Sequence, residues 1–245
     1  YHSRLNELNV QLEDLGYVNF ERISKHISKF VIDNAEEYIQ DLYSQNKNIV
    51  LEGAQGWGLD IWGDGYPNVT SSSPSVGGAI ISTGLNHNQI DEVIGVVKAY
   101  KTRVGVGEFK SELFDSDADD LRDRGDEYGA TTGRPRRVGW LDIDELKQAV
   151  KKNGVNHIVI TRIDTLSDME TIHIHDKGNY IRFDPWTNLT NPLKKEVLGS
   201  SNVLNYINFI YSKLNSDVTK ISLTFGKRRG KILWDVLNEN YSGGM

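Results

Sequence analysis

Apolar residues recur every three or four positions in several stretches of the chain, with charged residues between them. This spacing predicts amphipathic helices over residues 19–46, 142–152 and 202–214. Asp142 is a suitable N-cap for the second of these helices, and Gly154 lies just past its end, where helices commonly stop. The pattern therefore predicts helices whose apolar faces pack against other elements.

Short apolar runs lie between the predicted helices and indicate strands. Residues 47–51, 155–160 and 218–225 are strand candidates, and residues 91–100 fit either a strand or a buried helix. Because helices and strands alternate, we predict an α/β fold with a mostly parallel sheet flanked by helices and with ligand loops at the carboxyl ends of strands. We expect residues 1–245 to form one such domain.

The composition narrows the classes of protein. Hydrophobic residues make up 38% and charged residues 25% of the 245 residues, which is ordinary for a globular protein. The formal net charge of -6 argues against general nucleic-acid binding. The absence of cysteine excludes disulfides and thiolate metal sites, and no apolar stretch approaches the roughly 20 residues of a membrane span. We expect a cytoplasmic protein without a membrane or nucleic-acid partner.

The most distinctive segment is a basic run at residues 130–137. It contains two hydroxyls, a glycine and three arginines within eight residues, and these are Thr131, Thr132, Gly133, Arg134, Arg136 and Arg137. The planar guanidinium fork fits carboxylates and phosphates two bonds at a time, and three crowded cations repel each other unless anions lie among them. The run is therefore either a solvated basic loop or a binding loop for anionic substrates.

Other predicted loops carry polar groups or glycines that suit a binding site. Gln55 and Thr70 lie in glycine- and serine-rich loops, and Asp164 follows a predicted strand. A carboxylate at that place can accept two hydrogen bonds from the N–H groups of guanine, or it can simply cap a turn. Gly105 and Gly107 are either packing glycines or points of backbone contact with a ligand.

Three further clusters have simpler explanations. His173 and His175 share one face of a strand, which allows zinc binding but fits an exposed strand face better. The basic segment 227–231 can hold phosphate or form a solvated patch, and the acidic segment 115–126 is typical of a solvated helix face with charge pairs along the helix. The chain contains neither a Walker-type phosphate loop nor a nucleophile elbow.

Several segments match one enzyme family in the same order and with similar spacing. Besides the basic run, they are EGAQG at 52–56, YPNVTSS at 66–72, VVKAY at 96–100, TRVGVG at 102–107, ELFD at 112–115 and GWLD at 139–142. With them, residues 49–166 resemble adenylosuccinate synthetase, and the resemblance weakens after residue 170. The agreement of several unrelated motifs makes the resemblance highly specific.

The resemblance implies a ligase of purine biosynthesis that uses GTP and Mg²⁺ to join aspartate to IMP. GTP phosphorylates the 6-oxygen of IMP, and the aspartate amine then displaces that phosphate to give adenylosuccinate. By resemblance, the IMP-binding residues are Gln55, Thr70, Val104, Gly107 and Arg134. The aspartate-binding residues are Ala130, Thr131, Thr132, Gly133, Arg134 and Arg136. The GTP-binding residues are Arg136, Arg162, Ile163, Asp164, Thr224, Phe225 and Gly226. The resemblance also implies a homodimer.

The chain departs from the family pattern at three places. Arg162 stands where the family usually has lysine, and Gly226-Lys227 stands where it has Gly-Pro, which leaves GTP versus ATP open. The family's phosphate loop, catalytic aspartate and catalytic histidine are not in these residues, which begin at Tyr1 inside a predicted helical region. The resemblance therefore implies the C-terminal portion of a longer chain, with no catalytic residue of its own and with Mg²⁺ bound mainly outside it. By itself this portion is expected to be inactive.

Two alternatives stay open. A phage-type homologue couples aspartate to dGMP and gives a 2-aminoadenylosuccinate nucleotide; since both enzymes use aspartate, the basic run does not separate them. The other alternative is a non-catalytic nucleotide-binding module that keeps the ligand loops.

Overall fold

The structure is a computed structural model. It describes residues 24, 25, 27–129, 133–187, 189, 197, 199–214, 217–226 and 231–236. The chain divides into two compact units, one of Tyr1–Val50 with Thr83–Leu85 and one of Leu51–Ser82 with Asn86–Met245. Whether residues 1–245 fold as one domain stays a prediction.

Helix α1 (Ala35–Ser44) is the main described element of the smaller unit. The Asn34 side chain caps its N-terminus by accepting a hydrogen bond from the Glu37 N–H at 3.1 Å. The helix confirms the later part of the prediction over residues 19–46, while residues 19–23 lie outside the described residues.

The strand predicted at residues 47–51 is wrong. These residues have no regular structure, and no described strand lies alongside them. Val50 is 88% exposed. An apolar run becomes a strand only where a neighbouring strand completes its backbone hydrogen bonds, and that partner is lacking among the described residues.

The described part of the larger unit contains two four-stranded sheets. Its strands are β1 (Ile94–Lys98), β2 (Tyr100–Arg103), β3 (Arg137–Asp142), β4 (His157–Thr161), β5 (Ile172–Asp176), β6 (Asn179–Phe183), β7 (Lys220–Thr224) and β8 (Ile232–Leu233). The first sheet has the order β1-β4-β7-β8, with β1, β4 and β7 parallel and β8 antiparallel at the edge. The second has the order β2-β3-β5-β6, in which only β3 and β5 are parallel.

Among the described residues, the helices after α1 are α2 (Val76–Thr83), which precedes β1, and α3 (Ser116–Gly125), α4 (Ile143–Asn153) and α5 (Ser201–Leu214), which lie between strands along the chain. Asp142 caps α4 by accepting from the Glu145 N–H at 3.0 Å, and Gly154 ends it at φ +62°. The helices predicted at residues 142–152 and 202–214 are confirmed as α4 and α5. Strands are confirmed within residues 91–100, 155–160 and 218–225.

One hydrophobic core joins these elements within the larger unit. Strands β4 and β7 and helix α5 contribute fully buried side chains to it, including Ile158, Ile160, Ile207 and Ile221. The α/β fold class is therefore confirmed, with the parallel strands concentrated in the first sheet and a mixed second sheet beside them.

The parallel strands end together at one edge of the first sheet. In the register of the strands, Lys98 of β1 lies opposite Thr161 of β4, and Ile160 lies opposite Leu223 of β7. Because parallel strands point the same way, the segments that follow all three open at this edge. Tyr206 of α5 anchors one of them by donating its hydroxyl to the Ala99 carbonyl at 2.5 Å.

Candidate anion-binding site at the carboxyl ends of the parallel strands

Residues 133–136 of the basic run pair with residues 127–129, and these two segments are the described arms of the turn at residues 127–136. The Arg136 N–H donates to the Glu127 carbonyl at 2.9 Å, and the Gly129 N–H donates to the Arg134 carbonyl at 2.9 Å. A further bond from the Gly133 N–H to the Gly129 carbonyl, at 2.8 Å, tightens the turn. The remaining predicted members of the loop, Ala130, Thr131 and Thr132, lie outside the described residues.

Arg137, the last arginine of the run, is neutralised within the chain. Its Nε donates to Glu112 Oε1 at 2.6 Å, and its Nη2 makes a second bond to the other carboxylate oxygen. Its Nη1 donates to the carbonyls of Gly105 and Gly107 at 3.1 and 3.0 Å. The bond from Arg137 holds the pKa of the Glu112 carboxyl below its usual range. This arginine has a structural partner and is not free for a ligand.

The Arg136 guanidinium uses only some of its donors within the chain, and the Arg134 guanidinium has no ion-pair partner among the described residues. Arg136 Nη1 lies 2.7 Å from Glu127 Oε2, while its side chain remains 33% exposed. Arg134 is exposed, and no described carboxylate lies within ion-pair distance of it. The run therefore presents one open cation and one cation with unused donors at the turn.

The Glu127 carboxylate collects three donors although its side chain is only 1% exposed. Lys98 Nζ lies 2.7 Å and Tyr100 Oη 2.6 Å from Oε1, and Arg136 takes Oε2. Burial alone would raise the pKa of Glu127, but the bonds from Lys98, Tyr100 and Arg136 together hold it below its usual range. Burial lowers the pKa of Lys98, Glu127 opposes this, and the charges of Arg136 and Arg162 lower it further.

The residues expected to bind GTP cluster at the ends of β4 and β7. Asp164 lies in the 3₁₀ helix Ile163–Leu166, and its Oδ1 is buried without a hydrogen-bond partner among the described residues. Gly226, at φ +61°, lies so close that a Cβ built on it would be 4.0 Å from Asp164 Oδ2. An orphaned buried acceptor is costly unless a ligand completes it.

The other expected GTP contacts differ in what they can offer. The side chains of Ile163 and Phe225 are buried in the core, so only their backbone groups can face a ligand. Arg162 adopts the left-handed conformation, at φ +62°, just after β4. Thr224 ends β7 and is partly exposed. The structure thus brings Asp164 and Gly226 together and leaves the core side chains aside.

The expected IMP contacts lie on loops that are tied to the second sheet. Gln55, at φ +60°, accepts a hydrogen bond from Ser72 Oγ at 3.3 Å, which links the two early loops. Arg103 of β2 donates to the Asn68 carbonyl at 3.2 Å. Gly107, at φ +111°, lies directly against the Arg103 guanidinium; a side chain here would strain the backbone and would require the guanidinium to move.

Two more expected contacts on these loops are Val104 and Thr70. Val104 is 72% exposed, whereas the Thr70 N–H is bonded to the Leu59 carbonyl at 2.8 Å. Both are placed on loops rather than in the core, as a ligand contact requires.

Three residues of the site were missed by the reasoning from sequence: Lys98, Glu112 and Glu127. Lys98 and Glu112 lie in the family-matching segments VVKAY and ELFD, but neither motif points to a role for its charged residue, and Glu127 carries no signal that separates it from surface carboxylates. Their importance comes from partners that are distant in sequence, which periodicity and spacing do not report.

The histidine pair is not an exposed strand face, so that expectation is wrong. His175 is buried with its Nδ1 3.1 Å from Asp142 Oδ2, and His173 packs against the Trp140 ring with centroids 5.4 Å apart. Strand β6 covers this face through Tyr180, whose ring meets both histidines. The described residues contain no group of three metal-ligating side chains.

The charged segments follow the simpler explanations where they are described. In α3, Arg122 pairs with Asp119 at 2.6 Å and Arg124 pairs with Asp120 at 2.7 Å, so the predicted helix-pair charges are confirmed. Residues 227–230 of the basic segment lie outside the described residues. In the described part of the chain, no helix is both long and apolar enough to span a bilayer.

Known proteins similar to this chain agree on one family. A family model for adenylosuccinate synthetase matches residues 2–180. The chloroplastic adenylosuccinate synthetase of Chlamydomonas reinhardtii is 45% identical over 155 residues, which are 63% of this chain and 33% of that protein. The Thermodesulfovibrio yellowstonii synthetase is 36% identical over 251 residues, 94% of this chain and 57% of that protein. The Thermus thermophilus synthetase is 36% identical over 212 residues, which are 81% of this chain and 52% of that protein.

Solved structures extend the similarity to the fold. The fully ligated adenylosuccinate synthetase of Plasmodium falciparum matches with a TM-score of 0.79 and 28% identity, over 93% of this chain and 60% of that one. A cyanophage S-2L succinoaminodeoxyadenylate synthetase, bound to dGMP and dATP, matches at a TM-score of 0.55 and 18% identity, over 84% of this chain and 51% of that one. The second likeness concerns the fold alone. The chain spans about half the length of most of these relatives, and it belongs to the adenylosuccinate synthetase family.

Proposed function

We propose that the whole protein ligates aspartate to IMP at the expense of GTP and yields adenylosuccinate, GDP and phosphate. GTP transfers its terminal phosphoryl group to the 6-oxygen of IMP. The aspartate amine then attacks carbon 6 of the base, to which this oxygen is bonded, and phosphate leaves with the oxygen. Family membership supports this proposal, and this chain supplies binding groups for the substrates rather than the acid and base of the reaction.

The distribution of partners among the three arginines carries the proposal. Arg137 is neutralised by Glu112, Arg136 is neutralised on one side by Glu127, and Arg134 stays exposed and unpaired by the described residues. One unpaired guanidinium beside one with free donors suits the two carboxylates of aspartate.

The proposed GTP site rests on Asp164. Its buried Oδ1 lacks a partner among the described residues, and Gly226, which lies next to Oδ2, has no side chain to cover it. Guanine offers two adjacent N–H donors on one edge, whereas adenine lacks this pair of donors. This difference favours GTP over ATP even though Arg162 replaces the lysine usual in the family.

Mg²⁺ is proposed to be held mainly outside this chain. The described residues contain no group of three His, Cys, Asp or Glu side chains that could hold a metal ion. Because Mg²⁺ in such enzymes binds largely to substrate phosphates, we propose that the GTP phosphates and other parts of the whole protein hold it.

Assembly and location are proposals of the same kind. We propose a homodimer in the cytoplasm, without a nucleic-acid or membrane partner. The net charge of -6 and the absence of cysteine support the location and the lack of nucleic-acid binding. Analytical ultracentrifugation of the whole protein tests the dimer, and a monomer at micromolar concentration would contradict it.

The decisive experiment is a substrate comparison with the whole protein. Ligation of aspartate is measured in the presence of Mg²⁺ while IMP is exchanged for dGMP and GTP for ATP; the product is adenylosuccinate from IMP and the 2-aminoadenylosuccinate nucleotide from dGMP. We expect turnover with IMP and GTP. Turnover with dGMP alone would instead assign the phage-type reaction. Calorimetric binding of IMP without turnover under any combination would identify a non-catalytic binding module.

A further inference from the structure

Glu127 joins two parts of the molecule that are separate in sequence. Its Oε1 accepts from Lys98 Nζ and Tyr100 Oη, at 2.7 and 2.6 Å, at the end of β1 and the start of β2. Its Oε2 accepts from Arg136 Nη1 at 2.7 Å. Each carboxylate oxygen therefore serves a different element, and the carboxylate links the sheet edge to the turn at residues 127–136.

The same turn is held by backbone bonds on both sides of Arg136. The Arg136 N–H donates to the Glu127 carbonyl at 2.9 Å, and Arg122 Nε donates to the Arg136 carbonyl at 3.1 Å. The contact with Glu127 gives the Arg136 side chain its direction, and through the same carboxylate it ties the turn to Lys98 at the sheet edge. No described residue bonds to Nε or Nη2 of Arg136, which leaves these donors for a ligand.

Charge gives Glu127 a second effect. Lys98, Arg136 and Arg162 are cations close enough to influence one another, because the charges of the two arginines act on the lysine. One buried carboxylate lies among them. Without its charge, Lys98 and Arg136 would repel each other in a setting of reduced solvent screening, and Arg136 would turn towards water.

We propose that Glu127 is a positioning residue for aspartate binding: it orients the Arg136 guanidinium so that Nε and Nη2 face the substrate carboxylates. Glu127 does not touch substrate. Tyr100 and Lys98 hold the carboxylate itself in place, so the direction of Arg136 depends on the end of β1. This inference rests on the proposed function for the identity of the ligand, but the geometry of the turn can be tested separately.

The first test measures the geometry alone. Amide hydrogen exchange is followed in the whole protein for Glu127→Gln, which keeps the size of the side chain and removes its charge. We expect exchange at Gly129 and Gly133 to become about tenfold faster or more, since a charged hydrogen bond is lost. The matched control is Asp176→Asn, which removes another buried carboxylate with a lysine partner, Lys213 at 2.6 Å. The control should leave the turn unchanged. Unchanged exchange in the Glu127 variant would overturn the inference.

The second test measures the consequence for substrate. In the whole protein, Glu127→Gln should raise the KM for aspartate about tenfold or more and should change kcat and the KM for IMP, whose proposed contacts do not include Arg136, far less. A double-mutant cycle with Arg136→Gln separates positioning from general damage. If Glu127 acts through Arg136, the two effects on the aspartate KM do not multiply. An unchanged KM, or effects that multiply fully, would overturn the inference.

A milder variant covers the case in which Glu127→Gln does not fold. Tyr100→Phe removes one donor to Glu127 Oε1 and keeps the buried ring, so we expect a smaller rise in the aspartate KM and faster exchange at Gly129. If Tyr100 had only a local role in the core, the variant would show neither change. If the wild-type protein shows no aspartate-dependent turnover, the proposed function fails, and the exchange experiment still decides whether Glu127 sets the turn.

Discussion

Arg137 and Glu112 form a two-point ion pair whose guanidinium also holds the loop after β2. The pair joins Nε to Oε1 at 2.6 Å and adds a second bond from Nη2, while Nη1 donates to the Gly105 and Gly107 carbonyls. The arginine thus connects β3 to a loop that includes two of the proposed IMP contacts. A residue of the basic run that appears suited to a ligand is instead part of the scaffold.

We predict that Glu112→Gln lowers the free energy of unfolding by about 1–3 kcal/mol, because it leaves Arg137 with a neutral partner. The lowered pKa of Glu112 means that the pair stabilises the fold above the ordinary carboxyl pKa, and that this stability is lost as the pH falls through the lowered value. Urea unfolding at neutral and acidic pH measures both effects. Asp120→Asn, at the more exposed pair with Arg124, should cost less than about 0.5 kcal/mol. Equal losses in the two variants would contradict the prediction.

Arg134→Leu should raise the aspartate KM of the whole protein by an amount equivalent to about 1.5–3 kcal/mol, the range for a charged hydrogen bond. Because Arg134 is exposed and unpaired by the described residues, the free energy of unfolding should hardly change. Steady-state kinetics and thermal unfolding check the two statements. Arg182→Leu, an exposed arginine in β6, is the control. An unchanged aspartate dependence in the Arg134 variant would refute the assignment.

Asp164→Asn should reverse the base preference at the proposed GTP site. The carboxylate accepts from the two N–H donors of guanine, whereas the amide of asparagine offers one acceptor and one donor and suits xanthine better. We expect the KM for GTP to rise by at least about tenfold and the KM for XTP to fall. The folded protein should not lose stability, because Oδ1 has no partner to lose among the described residues. A variant with the wild-type preference for GTP would place guanine elsewhere.

We predict that the free energy of unfolding decreases on acidification, because His173 is protonated more readily in the unfolded chain. Burial lowers its pKa, Arg182 lowers it further, and Asp117 opposes these effects in part. A lowered histidine pKa means that the unfolded chain binds more protons, so stability is lost as the pH falls below the ordinary value of 6.5. His173→Phe should reduce this loss, as followed by urea unfolding between neutral and mildly acidic pH. His87→Gln, with an exposed side chain, should behave like wild type, and an equal change in both variants would argue against burial as the cause.

Local patterns predict the elements of this fold well where the chain itself supplies the cause. Helix α4 begins at the Asp142 cap and ends at Gly154, as its sequence predicts, because both signals act within a few residues. The strand expected at 47–51 fails for the opposite reason: a strand needs a neighbour, and hydrophobicity does not reveal whether one is present. His173 and His175 alternate correctly on their strand, but the sequence did not predict that Tyr180 covers them.

The sequence by itself determined the family, the helices α4 and α5, the strands β4 and β7, and the segments that meet at the sheet edge, since motifs and periodicity are properties of neighbouring residues. Only the tertiary structure decided which arginines of the basic run remain for a ligand. Glu112 and Glu127 lie 25 and 9 residues from the arginines that they neutralise, and the folded backbone alone brings each pair together. Coulomb attraction acts over a few ångströms in space and has no counterpart in sequence distance.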